Sequence, residues 1–348
     1  MSFSWHIEMY CQKTFMPESR TYRAVAPGRV NLIGDHTDYT GGLVLPMAIK
    51  MFTSIEFSLQ ENYVELRSES EEGLYRRELS ERSKTENGSS WGRYVDAVLS
   101  LIEEPHGLTG VIRSTLPIGA GLSSSASLEV ALALALGFQG DELSLAQLGQ
   151  RAEHMATQVP CGIMDQLCIT SAVAGSASLI NCSTYEVAHI PIPDDVKVVV
   201  RFVMARQLEG SAYAQRVDEC RLAEHFVGPL NIADMGDVTK IPDAIVRSRA
   251  THVISENARV SAFAIALSIG DFSLAGEIMQ ESHKSLAENF AVSVPEMDEA
   301  VADLVATPGV YGARMTGGGF GGCVVALCEP NANVDGWVVE PVGAANLQ

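Results

Sequence analysis

The sequence predicts an α+β fold in two domains, and three observations support this prediction. The chain has 348 residues, and domains hold roughly 100–200 residues each. Hydrophobic residues make up 47% of it and charged residues 19%, a composition that can build a large core and excludes an intrinsically disordered chain. Strand-like and helix-like segments occur in separate runs instead of alternating, which favours α+β over a doubly wound sheet.

The first of these runs, residues 22–68, is predicted mainly as strands. A Pro27-Gly28 break lies within an apolar segment, and residues 52–59 alternate apolar with polar side chains, as a half-buried strand does. Residues 69–90 are first charged and then small and polar, without apolar periodicity. They are predicted as a hairpin excursion or a surface loop.

Two helices are predicted next. Residues 123–137 are rich in Ala and Leu and nearly free of β-branched residues, which favours a helix; because it is apolar on nearly all sides, we expect it to be buried. A second helix is predicted at residues 144–157, where Ser144 and Gln147 have the spacing of a capping box. Pro160 is expected to end it.

A domain boundary is predicted in the PIPDD segment after Ile190, which separates two strand-like runs. The predicted domains are therefore residues 1–193 and 194–348. The second domain is predicted to hold helices at 211–227, 254–269 and 295–306 and strands at 310–315 and 323–328.

The net charge and the absence of targeting signals disfavour several classes of protein. Lys and Arg number 24 against 43 Asp and Glu, a net charge of -19, so we expect no binding to nucleic acid or to anionic membrane surfaces. No apolar run approaches the ~20 residues that a bilayer requires. The first residues lack the pattern of a secretory signal, and a cytoplasmic enzyme is expected.

The cysteines are expected to be reduced and mostly structural. Their number is odd, they are scattered, and no C-x-x-C pair occurs, which disfavours both a zinc site and a disulfide framework. They are Cys11, Cys161, Cys168, Cys182, Cys220, Cys323 and Cys328.

The segment from Pro117 to Ser125, PIGAGLSSS, is a glycine-rich turn that leads into the predicted buried helix. Glycines let backbone N–H groups approach an anion closely, and the N-terminus of a helix favours negative charge. The three serines can cap the helix or ligate Mg²⁺. This pattern predicts a phosphate-binding turn, although an ordinary Gly-Ser turn with a serine cap stays open at this point. No G-x-x-x-x-G-K-[ST] motif occurs, which disfavours a P-loop NTPase.

A second polar cluster lies in residues 26–46, APGRVNLIGDHTDYTGGLVLP. Arg29, Asp35, His36 and Asp38 stand among residues that favour burial, and charges in such surroundings need partners. Two carboxylates and an imidazole can bind the hydroxyls of a sugar. A solvated turn is the alternative, and a metal site is disfavoured because no further histidines are near.

A third candidate is Asp165, which follows Pro160 and comes directly after the apolar residues Ile163 and Met164. An unpaired carboxylate would be costly there, so we expect Asp165 to meet a cation or a substrate proton. Glu153, twelve residues earlier, is a carboxylate of the kind that binds Mg²⁺ together with phosphate oxygens. An ordinary surface acid is the other interpretation of Glu153.

The glycines at 317, 319 and 322 form a G-x-G-x-x-G pattern, but an apolar strand-like run follows it instead of a helix. The Rossmann interpretation therefore fails. We expect a loop whose backbone lies near a substrate or nucleotide, or, alternatively, a turn that permits close packing.

Taken together and in this order, these segments resemble the galactokinases of the GHMP small-molecule kinase superfamily. APGRVNLIGDHTDYTGGLVLP is similar to the galactokinase signature, LPIGAGLSSSASLEVA to the superfamily's ATP loop, and MTGGGFGGCVVAL to its third motif. WGRYV at 91–95 and AEHMATQVPCGIMDQ at 152–166 also match, so the resemblance covers nearly the whole chain. It implies a two-domain GHMP kinase fold with the active site in the cleft between the domains.

The resemblance also implies roles for individual residues. Asp165 would be the catalytic base facing the anomeric hydroxyl, and Arg29 would stabilise charge in the transition state. Ser125 and Glu153 would hold Mg²⁺. The sugar would be bound by Asp35, His36, Thr37, Asp38, Gly162 and Tyr213. ATP would be bound by Gly119, Ala120, Gly121, Leu122, Ser123, Ser124 and Ser125, with Ser68 and Trp91 as further candidates near the nucleotide.

The implied reaction is the ATP-dependent phosphorylation of α-D-galactose to galactose 1-phosphate and ADP. The implied partners are ATP and a monosaccharide, and we expect a monomer or a weak homodimer. The family usually has Glu where this chain has Asp35. A kinase for another monosaccharide, such as an N-acetylhexosamine or a pentose, therefore stays open, as does a non-catalytic galactose and ATP sensor. The tail after Cys328 is short for the family's usual last helix.

Overall fold

The computed structural model describes residues 20–80, 90–205 and 210–348. Cys11 and much of the second half of the predicted 69–90 loop lie outside these ranges. The strands are β1 (Tyr22–Asn31), β2 (Leu43–Val44), β3 (Pro46–Gln60), β4 (Tyr63–Ser68), β5 (Leu74–Glu78), β6 (Gly107–Ser114), β7 (Ser176–Asn181), β8 (Val187–Pro191), β9 (Lys197–Met204), β10 (Val310–Thr316), β11 (Gly322–Cys328), β12 (Trp337–Val339) and β13 (Asn346–Leu347). The helices are α1 (Gly92–Leu101), α2 (Ser124–Ala135), α3 (Glu142–Thr157), α4 (Met164–Ser171), α5 (Gly210–Val227), α6 (Ala244–Ile269), α7 (Phe272–Ser285) and α8 (Pro295–Val305).

A six-stranded sheet with the order β13-β1-β3-β6-β4-β5 forms the first layer of the N-terminal half. Its pairs are antiparallel except β4 with β6, which run parallel. Helices α1, α2 and α3 cover one face and form a core with it. The strands predicted within residues 22–68 are confirmed, and the hairpin predicted after them contains β5.

The predicted buried helix is α2, which packs against β1, β3, α1, α3 and α4. Its apolar sequence fits this central position because a helix with neighbours on all sides needs no polar face. The predicted start of the next helix was wrong. Helix α3 begins at Glu142, because Asp141 in an extended conformation accepts a hydrogen bond from the Ser144 N–H at 2.8 Å and serves as the cap instead.

The C-terminal half is built on an antiparallel four-stranded sheet with the order β10-β11-β9-β12. One face packs with α5, α6 and α8, and the other shares a core with β1, β3, α6 and α7. Helix α6 begins ten residues before its predicted start, and α7 was not predicted. Buried charged side chains in this region, such as Arg249 and Glu256, interrupt the apolar periodicity on which helix prediction depends.

A third sheet, β2-β7-β8, packs with α4. The boundary predicted at 193/194 falls between β8 and β9. Residues 329–348 contain no helix: β12 extends the edge of the C-terminal sheet, and β13 returns to pair with β1 of the first sheet. The α+β class is confirmed, and both halves contribute loops to one cleft.

Candidate active site

Two adjoining cavities open where these loops meet. The first has a volume of about 360 Å³ and the second about 290 Å³. The first is lined by Arg29, Asp35, His36, Asp38, Arg93, Ser125, Glu153, Thr157, Val159, Cys161, Gly162, Met164, Asp165, Gln166, Tyr213, Gly317 and Gly318. Arg93 and Ser125 also line the second cavity, so the two cavities meet at these side chains.

Arg29 and Asp165 form a two-pronged ion pair at the base of the first cavity. The Arg29 Nε and Nη2 atoms donate to the two Asp165 oxygens at 2.7 and 2.8 Å, across 136 residues of sequence. Arg29 is 4% exposed, and its Nη1 also donates to the Gly121 carbonyl at 2.8 Å. The cation expected for Asp165 is therefore Arg29.

A β-bulge beside Arg29 explains its position. The register of β1 against β3 shifts between Pro27 and Gly28, and the Arg29 N–H donates to the Leu122 carbonyl at 3.2 Å. A Cβ atom on Gly28 would lie 2.7 Å from that same carbonyl oxygen. Glycine is thus required for the close approach of β1 to the glycine-rich turn.

Ser123 contacts the Asp165 carboxylate, although the family resemblance implied that it binds ATP. Its hydroxyl donates to Asp165 Oδ2, and its backbone is left-handed with φ 62°. A non-glycine residue in this conformation is strained, and such strain is concentrated at functional sites. Ser123 also makes no side-chain cap bond to α2, so the serine-cap interpretation does not apply to it.

Asp35 is held by three donors and is 1% exposed. It accepts from Asn31 Nδ2 at 3.0 Å, from the Gly317 N–H at 3.0 Å and from Arg314 Nη2 at 2.6 Å. These contacts join the end of β1 to the glycine-rich loop after β10. Most of the acceptor capacity of the Asp35 carboxylate is therefore used within the protein.

His36 and Tyr213 lie in an aromatic cluster on one wall of the first cavity. The His36 ring centroid is 4.7 Å from that of Phe290 and 5.4 Å from that of Tyr213, and Nδ1 lies 3.0 Å from the Tyr39 hydroxyl. Thr37 does not line the cavity. Its hydroxyl donates to the Gly34 and Leu43 carbonyls, which stabilises the loop.

Asp38 and Gly162 lie against each other in the lining of the first cavity. A Cβ atom on Gly162 would lie 2.1 Å from Asp38 Oδ2, so only glycine leaves room for this carboxylate. Burial and the nearby Asp165 raise the pKa of Asp38 from 3.8 to about 7. Hydrogen bonds from the backbone N–H groups of Asp38 and Tyr39 lower this pKa in part, but burial outweighs them.

Ser125 on the first turn of α2 and Glu153 on α3 both line the first cavity. Glu129, four residues after Ser125, is fully buried. Its Oε2 accepts from Gln166 at 3.1 Å, while Oε1 accepts no hydrogen bond from any described residue. Burial and Glu153 raise the pKa of Glu129 well above its usual range. This concentration of carboxylates fits a cation bound at Ser125 and Glu153.

The second cavity is more apolar. Its lining includes Trp91, Tyr94, Ile112, Leu116, Ile118 and Leu128 beside Ser68, Ser124 and Ser125. The Trp91 Nε1–H is buried and donates to no atom in the part of the chain that the structure describes. The Ser68 hydroxyl accepts from the backbone N–H groups of Ser70 and Glu71.

The glycine-rich turn before α2 separates this cavity from the core. Gly119 and Gly121 have φ of 72° and 75°. Ala120 and Leu122 turn their side chains into the core between the two sheets. These four residues line neither cavity, whereas Ile118 just before them and Ser124 at the start of α2 line the second cavity. The contact of the four residues with ATP stays a prediction.

The loop with the G-x-G-x-x-G pattern reaches the first cavity through Gly317 and Gly318 and continues into β11, as expected. A Cβ atom on Gly319 would lie 2.5 Å from the Val292 carbonyl oxygen. The loop therefore serves both expected purposes, closeness to the cavity and tight packing.

Several residues of the site were missed in the sequence. Glu129 interrupts an otherwise apolar helix, a signal that could have marked it. Arg314, Glu256 and His252 form a buried polar network behind Asp35: Glu256 accepts from the Gly34 N–H at 3.0 Å, and His252 Nε2 lies 3.2 Å from the Asp35 carbonyl oxygen. No pattern in the sequence marks Arg314, Glu256 and His252 as residues that hold the 31–37 loop; their positions in the structure show it.

Six cysteines fall in the described ranges, and all are free thiols. They are Cys161, Cys168, Cys182, Cys220, Cys323 and Cys328. Among the described residues, no group of three or more His, Cys, Asp or Glu is placed to hold a metal ion. None of the described helices combines the length and apolarity needed to cross a bilayer.

Comparison with known families places this fold and site in a class. Residues 93–173 match the family model described as GHMP kinases N terminal domain, and residues 263–336 match GHMP kinases C terminal. These matches place the chain in the class of GHMP kinases. Both matched ranges contain residues that line the first cavity. Residues 12–59, which include β1 and most of β3, match the galactokinase galactose-binding signature.

The chain belongs to the galactokinase family. It is 39% identical over 319 residues to a galactokinase of Thermococcus kodakarensis, covering 88% of this chain and 89% of that protein. It is 38% identical over 327 residues to a galactokinase of Homo sapiens, covering 88% and 83%. The structure of Lactococcus lactis galactokinase complexed with galactose superposes with a TM-score of 0.87 at 28% identity, over 94% of this chain and 95% of that one.

Proposed function

We propose that this chain transfers the terminal phosphoryl group of ATP to the anomeric hydroxyl of α-D-galactose. The observation that carries the proposal is the position of Asp165. It lines the first cavity, is oriented by Arg29 and Ser123, and lies in the cavity that adjoins the second one at Ser125. The second cavity takes the nucleotide and the first takes the sugar.

The sugar is bound by groups that can exchange hydrogen bonds with hydroxyls. Asp38 supplies two acceptor oxygens and His36 and Tyr213 form the adjoining wall, while Gly162 leaves the necessary space. Asp35 contributes mainly by holding the loop. Thr37, which the family resemblance implied as a sugar-binding residue, instead stabilises the loop through its hydroxyl bonds to the Gly34 and Leu43 carbonyls.

Asp165 orients the anomeric hydroxyl and accepts its proton as the new O–P bond forms and the bond from the terminal phosphorus to the bridging oxygen breaks, which releases ADP. Arg29 fixes the carboxylate and places positive charge beside the reacting oxygen. Because phosphoryl transfer needs little covalent chemistry from the protein, such positioning and charge stabilisation supply most of the acceleration. The backbone of the glycine-rich turn and the N-terminus of α2 meet the phosphates.

Ser125 and Glu153 are the residues that would hold Mg²⁺. Two protein ligands suit this ion because it keeps several waters and binds phosphate oxygens directly. When bound, Mg²⁺ neutralises phosphate charge during transfer. A cytoplasmic location is part of the proposal, and the six free thiols support a reducing compartment.

The test is sugar-dependent ADP release by the purified protein over a panel of monosaccharides, with and without EDTA. We expect galactose to give the highest kcat/KM, with the product phosphorylated at the anomeric oxygen by ³¹P NMR. A preference for an N-acetylhexosamine or a pentose would identify the kinase for another sugar. Tight binding of galactose and ATP without ADP release would identify a sensor, which the complete Arg29, Asp165 and Ser123 arrangement disfavours.

A further inference from the structure

Arg93 lies on the first turn of α1, at the junction of the two cavities, and lines both of them. Its guanidinium carbon is 5.1 Å from the centroid of the Tyr94 ring, and its Nη2 is 3.5 Å from the Tyr94 hydroxyl. Burial and Glu153 raise the pKa of Tyr94 to about 12, so this partner stays neutral near neutral pH. Within the described ranges, Arg93 forms no ion pair with a carboxylate.

The charge of the cavities makes this arginine unusual. Four carboxylates line the first cavity, namely Asp35, Asp38, Glu153 and Asp165, and the only arginines lining either cavity in the described chain are Arg29 and Arg93. Arg29 is already paired with Asp165 through its Nε and Nη2 atoms. The glycine-rich turn contains no lysine. A polyphosphate placed across the junction therefore meets one side-chain cation that has no anionic partner.

We propose that Arg93 binds the terminal phosphoryl group of ATP. The assignment depends on the proposed function, since it takes the junction of the cavities as the place where the phosphoryl group passes to the sugar. A guanidinium presents paired N–H donors that match phosphate oxygens. The Tyr94 ring supports it from one side through a cation–π contact, and the N-terminus of α1 adds favourable potential for an anion.

The proposal can be tested by comparing nucleotides with and without a terminal phosphoryl group. Isothermal titration calorimetry would measure binding of ADP and of a non-hydrolysable ATP analogue, both with Mg²⁺, to the wild type, Arg93→Gln and Arg93→Lys. In Arg93→Gln, we expect the analogue to bind about tenfold to a hundredfold more weakly, because a charge-assisted hydrogen bond is lost, and ADP to change by less than about threefold. Arg93→Lys should keep part of the affinity, since it retains the charge.

The matched control is Arg151→Gln, which removes an exposed arginine of α3 that lines neither cavity. It should change neither affinity. Equal affinity of wild type and Arg93→Gln for the analogue would overturn the proposal, and so would an equal loss for ADP and the analogue. If the wild type releases no ADP with any sugar, the proposed function fails instead, and the binding comparison still decides whether Arg93 contacts the terminal phosphate.

Discussion

Asp165→Asn replaces one carboxylate oxygen by an amide nitrogen and removes the negative charge that faces Arg29. The wild-type carboxylate accepts two bonds from Arg29 and one from Ser123. An asparagine oxygen can keep some of these bonds, but its NH₂ group meets donors and cannot accept. The substitution therefore leaves the buried guanidinium of Arg29 partly unpaired.

Two magnitudes follow from this geometry. Loss of about one charge-assisted hydrogen bond costs about 1.5–3 kcal/mol; because the Asp165 side chain is 28% exposed, we expect the lower part of that range for the free energy of unfolding. Turnover is affected more, because the amide cannot accept the hydroxyl proton. A positioned base contributes about 10²–10⁴ in rate, so we expect kcat to fall by a factor within that range.

The assay is galactose-dependent ADP release at saturating substrates, combined with ADP binding by calorimetry and urea unfolding. ADP affinity should stay near that of the wild type, since Asp165 does not line the second cavity. Asp195→Asn, an exposed aspartate between β8 and β9, is the matched control and should behave as wild type. A folded Asp165→Asn protein that keeps kcat within about tenfold of the wild type would refute the assignment of the base.

The remaining predictions concern the sugar cavity and the network behind it. Gly162→Ala should raise the KM for galactose by about tenfold or more, because its Cβ must displace the Asp38 carboxylate; Gly343→Ala, where a Cβ meets nothing within 4 Å, should leave it unchanged. The Asp38 pKa of about 7, against 3.8 when unfolded, means that the folded protein holds a proton that the unfolded chain has released. Its contribution to the free energy of unfolding should thus fall as pH rises from 4 to 7, and calorimetry in buffers of different ionisation enthalpy should show proton release on galactose binding near pH 6.5. Glu256→Gln should lower the free energy of unfolding by about 3–5 kcal/mol, because it removes the carboxylate that pairs with Arg259 at 2.7 Å in a largely buried ion pair; denaturant titration beside the exposed Glu277→Gln would contradict this if the two variants were equally stable.

The sequence was a good guide wherever a signal was local. The α2 helix followed from its Ala and Leu content, and the loop around Asp35 and Asp38 was found because charges stood among apolar neighbours. Asp165 was expected to meet a cation for the same reason. Local patterns failed where a competing local signal existed: Asp141 caps α3 although Ser144 and Gln147 have the spacing of a capping box.

Other features depend on contacts that no local pattern encodes. Ser123 belongs to a serine run that looks uniform, yet its left-handed backbone turns its hydroxyl to Asp165, while Ser125 faces the cavities. The return of β13 to the first sheet could not be foreseen from two residues of weak strand propensity. Its pairing partner, β1, lies more than 300 residues away.

By itself, the sequence determined the α+β class, the main helices and strands, and the segments that carry the chemistry, because periodicity, composition and short motifs act over a few residues. Only the tertiary structure decided which of those groups meet. The Arg29 and Asp165 pair, the hold of Arg314 on Asp35 and the place of Arg93 between two cavities all join residues distant in the chain. Such contacts arise from sheet order and helix packing. Burial of apolar surface brings the two halves of the chain together, and charged groups in the cleft between the halves then form hydrogen bonds and ion pairs with one another.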